Sequence, residues 1–218
     1  MIRLSVTDLE TFRYWRERED STLDELIAQL VGIAEPTPQM QASRAFHKVF
    51  ETLDIEAVAA LEQVSRDGWT FVFELDGELA MPKIRELKAE GIWHTPSGPV
   101  TLVGKVDGLA GLTVHDYKLS ERFEAERYLD SWQWRAYLSM FHATRFVYEV
   151  FECWYDRYEP GLVRIRALHP LAFDRYPLME RDLAEAVCEL AEVVARHCPQ
   201  KIVDSQIREG MLAAGISA

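Results

Sequence analysis

A chain of 218 residues, 48% of them hydrophobic, can bury a sizeable core in one α/β or α+β domain and is too short for two full ones. Its 24 Lys and Arg against 36 Asp and Glu give a net charge of −12, which gives no general support for nucleic-acid binding and counts against it unless positive charge is local. No apolar run reaches the ~20 residues that span a bilayer, the first residues lack a signal-peptide pattern, and Cys153, Cys188 and Cys198 lack disulfide-framework or zinc-ribbon spacing. A cytoplasmic protein with reduced thiols and no membrane partner is the expectation.

The elements follow from hydrophobic spacing. Over residues 5–18, Val6, Leu9, Phe12 and Trp15 recur at helical intervals behind a Ser or Thr cap, and 22–30 predicts a second helix. "EPTPQ" breaks the pattern, and residues 40–64 resume it with the apolar stripe Phe46, Val49, Phe50, Leu53, Ala57 and Leu61, the longest helix expected. "GWTFVFELDGEL" has the content of a strand, with a turn at Asp76-Gly77, and "MPKIRELKAEG", residues 81–91, reads as a short helix closed by Gly91. Residues 100–106 and 112–117 read as strands joined by "DGLAG", and 121–142 as a helix carrying Trp132, Gln133 and Tyr137. Two more strands, 145–153 and 162–168, precede a C-terminal helix over 177–197. There is no internal repeat and no low-complexity tract. This order implies an α/β fold, a mixed central β-sheet flanked by helices, in a single domain with a helical N-terminal part (1–64) and a sheet core with C-terminal helix (65–218).

The chemistry concentrates in "VGKVDGLAGLTVHDYKLS", residues 103–120. Residues two apart on a strand share a face, so Asp116 and Lys118 project together while Tyr117 turns away and offers its backbone. If the strands form a hairpin, Asp107 lies near the joining turn and reaches the pair from its rim. Two carboxylates beside a lysine suit a hard divalent cation, and a phosphodiester under attack by water needs its developing negative charge stabilised. Metal-assisted phosphodiester hydrolysis is the implied chemistry. Taken alone, Asp107-Gly108 is a favoured hairpin-turn dipeptide, and an acidic-x-Lys triplet is common. A second triplet, Glu86-Leu87-Lys88, falls in an expected helix, where residues two apart do not face each other.

Around the hairpin, His47 in "RAFHKVFE", "GKVD" ending at Asp107, "DYK" from Asp116 to Lys118 and "QWRAY" from Gln133 to Tyr137 stand in a fixed order. This set resembles the PD-(D/E)xK nuclease superfamily, and within it the RecB-like exonucleases and the related CRISPR adaptation nucleases, over residues 5–153. The resemblance implies a restriction-endonuclease-like core with an N-terminal helical segment. It further implies that Asp107 and Asp116 hold one or two Mg²⁺ or Mn²⁺ ions, aided by His47 and the carbonyl of Tyr117, while Lys118 orients or deprotonates the attacking water. A lysine near carboxylates is expected to stay charged, which favours positioning and charge stabilisation. Without the family pattern, His47 reads as a satisfied interfacial histidine at the edge of the apolar stripe. Glu51, one turn further on, either hydrogen-bonds a ligand or bound water or is an ordinary solvent-facing glutamate.

Gln133 and Tyr137, four apart, share a helix face. They either contact the DNA backbone or orient the site, or else Tyr137 is simply core and Gln133 surface. "LSVTDLETFRYW" looks like the N-terminal segment of RecB-like domains, many of which carry four cysteines for an iron–sulfur cluster. Residues 1–152 contain no cysteine, so no cluster is expected. Arg44, Lys48, Lys105, Arg122, Arg127 and Arg135 lie on elements that carry these motifs and are the candidate phosphate contacts. The function implied is a metal-dependent DNA exonuclease of recombination, repair or processing, taking DNA with a free end and working with a helicase or strand-annealing partner. The alternatives are a non-catalytic protein of the same fold that binds DNA or protein, and a nucleotide or small-phosphoester hydrolase, for which no Gly-rich phosphate loop is present.

Overall fold

The computed structural model describes residues 1–53, 62–75 and 81–203. A short strand, β1 (Ile2–Ser5), leads without a loop into α1 (Val6–Glu17). Ser5 caps this helix in a capping box, accepting from Asp8 N–H while its own N–H reaches Asp8 Oδ2. α2 (Leu23–Leu30) starts with a second box, Thr22 with Glu25, and α3 (Pro38–Thr52) starts behind Thr37 with Pro38 in its first turn. α3 ends sooner than the hydrophobic stripe suggests. Arg85 Nη1 takes the carbonyls of Phe50 and Leu53 at 2.8 and 2.6 Å, satisfying acceptors that a continuing helix would have used. Ala57 and Leu61, the end of the expected stripe, and the Asp76-Gly77 turn lie outside the described residues, and Val64 belongs to a strand.

The strands are β2 (Gln63–Arg66), β3 (Trp69–Phe73), β4 (Ile84–Thr95), β5 (Gly98–Ala110), β6 (Thr113–Ser120), β7 (Arg145–Tyr155) and β8 (Leu162–Asp174). Between β6 and β7 come one helical turn, α4 (Glu126–Leu129), and α5 (Trp132–Met140); α6 (Met179–His197) follows β8. All eight described strands join one mixed sheet in the order β1-β5-β6-β7-β8-β3-β2, with β4 on the remaining edge of β5. β1 with β5, β6 with β7 and β3 with β8 are parallel.

Three expectations need correction. Residues 81–91 are not a helix: "IRELKAEG" has helix-forming residues, but β4 pairs along nearly all of β5, and tertiary pairing overrides local propensity. The expected helix over 121–142 is only α4 and α5, because Ser131 starts α5 as a fresh N-cap, accepting from Gln133 N–H. Asp107-Gly108 is not the hairpin turn. β5 continues to Ala110 and the chain reverses at Gly111, whose φ of 60° suits glycine, so Asp107 lies inside the strand.

The sheet buries both faces. One carries α1, α2, α5 and α6 over Leu4, Leu102, Val114, Phe146 and Val150; the other carries α3 over Phe71, Tyr117, Phe151 and Ile165. Phe46 of α3 is fully buried there, with ring centroids 4.8, 5.3 and 5.0 Å from Phe50, Phe71 and Phe151. Phe46→Ala should cost about 3–5 kcal/mol, seen as a lower guanidinium midpoint with an unchanged slope.

Candidate active site

β4 occupies one edge of β5, so β1 and β6 share the other. β1 pairs with Val100 to Val103 and β6 with Gly108 to Ala110, leaving residues 104–107 without a strand on that side among the described residues. Two side chains fill the interval. Tyr137 of α5 donates its hydroxyl to Lys105 O at 2.8 Å, and Asp107 Oδ2 accepts Tyr117 N–H of β6 at 2.8 Å. Continuing the register sets Glu86 on one side of Asp107 and Asp116 on the other, and both ladders skip that rung. Glu86 has φ 56°, a left-handed conformation costly for a residue with a β-carbon, and its carboxylate pairs with Lys105. The Glu86-Leu87-Lys88 triplet is therefore on a strand after all. What separates it from the site is this pairing and the exposure of Lys88.

Asp116 and Lys118 share one face, as their spacing on a strand requires, and their contacts with Gln133 and Tyr148 make it the α5 face. Lys118 Nζ is 2.7 Å from Asp116 Oδ2 and 5.7 Å above the Tyr148 ring, while Gln133 Nε2 donates to Asp116 Oδ1 at 2.7 Å. Asp107 turns toward α3, where His47 Nδ1 lies 3.1 Å from its Oδ1. The structure thus brings His47, Asp107, Asp116, Lys118 and Gln133 to one point, with the two carboxylates braced from opposite faces of the sheet. The Tyr117 peptide is part of this point, whereas its ring is buried on the α3 face against Phe50.

Burial sets the electrostatics. It pushes the Asp116 carboxyl up to about 6, opposed by Lys118 and reinforced by Asp107. Burial also disfavours charge on Asp107, yet the His47 hydrogen bond and the charges of His47 and Lys118 outweigh it and hold that carboxyl below its usual range. For Lys118 the balance again favours charge: burial is overcome by Asp116 and Asp107, so it remains an ammonium. The donor chemistry, two carboxylates and an imidazole, suits a hard divalent cation, and Asp116 Oδ2 is buried with no aligned hydrogen bond. The set is not a finished cage, since no three His, Cys, Asp or Glu side chains among the described residues converge as a ligand group.

The remaining expected residues divide. Arg44 and Glu51 are exposed on the His47 side of α3, at helical spacing from it. Lys48 pairs with Asp67, and Arg122 pairs with Glu124 at the surface. Arg127 borders a cleft of about 150 Å³ beside Lys118, Gln133 and Tyr148. Arg135 is not at the site. Two residues past Gln133, it lies on another side of α5, where its guanidinium packs on Trp134 and donates to Ser131 O and Tyr176. The groups that sequence reasoning missed are Glu10, Ser131 and Tyr148, which hold Gln133; a Ser before a helix is a legible cap, whereas the other two carry no local signal.

No protein-family model matches the chain, and no curated protein matches it in sequence. Solved structures do share its fold. A phage-related exonuclease from Haemophilus somnus 129PT is 12% identical, with 89% of this chain and 94% of that one covered and a TM-score of 0.52. The protein SSO0001 is 13% identical, with 93% and 89% covered and a TM-score of 0.51. At these identities the likeness is one of fold, a mixed sheet flanked by helices.

The glycine of "GKVD" has a packing reason: a β-carbon at Gly104 would overlap the Tyr137 ring. Gly104→Ala should cost about 1–3 kcal/mol by overpacking, measured as a shift in the denaturation midpoint.

Proposed function

We propose that this protein is a divalent-metal-dependent DNA nuclease, an exonuclease of the RecB-like branch of the PD-(D/E)xK superfamily, acting in recombination, repair or DNA processing. One observation carries the reading: His47 of α3, sixty residues earlier in the chain than Asp107, meets Asp107, Asp116 and Lys118 at the skipped rung between β5 and β6. The fold shared with a solved phage-related exonuclease supports it. Asp107 and Asp116 would hold Mg²⁺ or Mn²⁺ with His47 and the Tyr117 carbonyl, the ion supplying Lewis-acid stabilisation and a more acidic water. Lys118, kept as an ammonium by two carboxylates, neutralises charge on the phosphoryl oxygens and does not serve as a free base. Gln133 and Tyr137 orient the site, the first through Asp116 and the second through the backbone of Lys105.

Phosphate contact falls to a small basic set, Arg44 and Lys48 on α3 and Arg127 beside Lys118, which suits a chain of net charge −12 that engages DNA at an end or with help from a helicase or strand-annealing partner. The test is digestion of linear duplex, single-stranded and closed circular DNA with and without Mn²⁺. Metal-dependent loss of linear DNA with circles intact is expected; cleavage of closed circles would replace the exonuclease assignment with an endonuclease. Asp116→Ala and Lys118→Ala should each lower the rate at least about a hundredfold, ~3 kcal/mol. Near wild-type cleavage by either purified variant would remove the proposed chemistry.

A further inference from the structure

Glu10 lies on α1, in the N-terminal segment and apart from the four motifs that supply the site's own groups, and its side chain is only 15% exposed. Its Oε1 accepts two hydrogen bonds at 3.0 Å, from Ser131 Oγ and from the backbone N–H of Gln133. Its Oε2 takes Arg13 Nη2 at 3.0 Å, and Arg13 reaches on to Glu17. An N-cap hydroxyl alone leaves other N–H groups of a first turn to find acceptors, and a carboxylate is favoured at that positive end of a helix. Glu10 provides one from a different helix. The residue it grips is the one that matters for the site: Gln133 is held by its backbone to Glu10 and by its side chain to Asp116 Oδ1 at 2.7 Å. Tyr148 completes the brace, its hydroxyl 2.8 Å from Ser131 Oγ and 3.5 Å from Gln133 Oε1, while Asp116 Oδ1 accepts from the amide nitrogen.

We propose that Glu10 is a positioning residue, which clamps the first turn of α5 so that the Gln133 amide holds the Asp116 carboxylate in its working orientation. The inference rests on the nuclease reading for its effect on catalysis but not for the clamp itself. Partners that orient ligand groups typically contribute 10–100-fold in metal affinity or rate. Glu10→Ala should therefore weaken Mn²⁺ binding, measured by calorimetry, and lower kcat about 10- to 100-fold, with KM for DNA unchanged. Glu10→Gln, which keeps an acceptor oxygen, should restore most of the loss. Adding Glu10→Ala to Gln133→Ala should cost nothing further, because the two act in series.

A mere packing strut between α1 and α5 predicts the opposite: a lower melting temperature with unchanged kcat per folded molecule and unchanged Mn²⁺ affinity in Glu10→Ala. That pattern would overturn the proposal. An independent readout is hydrogen exchange of the Gln133 side-chain amide by NMR, expected to be slow in wild type and Glu10→Gln and fast in Glu10→Ala. If Glu10→Ala does not fold, Glu10→Asp, one methylene too short to reach α5, carries the same comparison. Equal protection in all variants would refute the clamp. Loss of protection in a protein whose wild type neither binds Mn²⁺ nor cleaves DNA would keep the clamp and refute the nuclease reading.

Discussion

Backbone amides and carbonyls buried in a sheet must find partners, and along residues 104–107 of β5, on the edge away from β4, no strand among the described residues supplies them. Side chains do so instead. Tyr137 reaches across to Lys105 O, and Asp107 takes the Tyr117 N–H that a ladder would otherwise engage. An interval of this kind gives carboxylates at the centre of a hydrophobic sheet both space and hydrogen bonds. It also explains why Gly104 and Tyr137 belong together, since only a residue without a side chain lets the ring approach that stretch of backbone. The geometry of the site is thus a property of strand pairing before it is a property of any one functional residue.

Burial then does electrostatic work. Two carboxylates this close would repel in a low-dielectric setting, and the structure offsets that with unlike supports: an imidazole from α3 for Asp107, an ammonium and an amide from the α5 face for Asp116. The result is one carboxyl held below its ordinary range and another pushed above it, with a lysine locked into its charged form between them. In the proposed function such a cluster would take a dication and a polyanionic substrate locally while the protein as a whole stays strongly acidic.

Much of this was legible in the sequence, for reasons that can be named. Two-residue spacing forces Asp116 and Lys118 to one face wherever the strand sits, and four-residue spacing does the same for Gln133 and Tyr137. What misled were cues whose meaning depends on tertiary pairing. Residues 81–91 have helical composition, yet most of them belong to the long partner strand of β5, and Asp107-Gly108 has the form of a turn while the chain turns at Gly111. Arg135 shares α5 with Gln133 but not its side, and Glu10 looks like any exposed glutamate of an amphipathic helix until α5 is docked against it.

The central claim, that the skipped rung between β5 and β6 is a divalent-cation site, is tested most directly by diffraction from crystals soaked in Mn²⁺ at a wavelength where manganese scatters anomalously. An anomalous peak in contact with Asp107 and Asp116, with His47 among its ligands, is the predicted result. A fully soaked crystal with no peak there, or with manganese bound only elsewhere on the acidic surface, would contradict it.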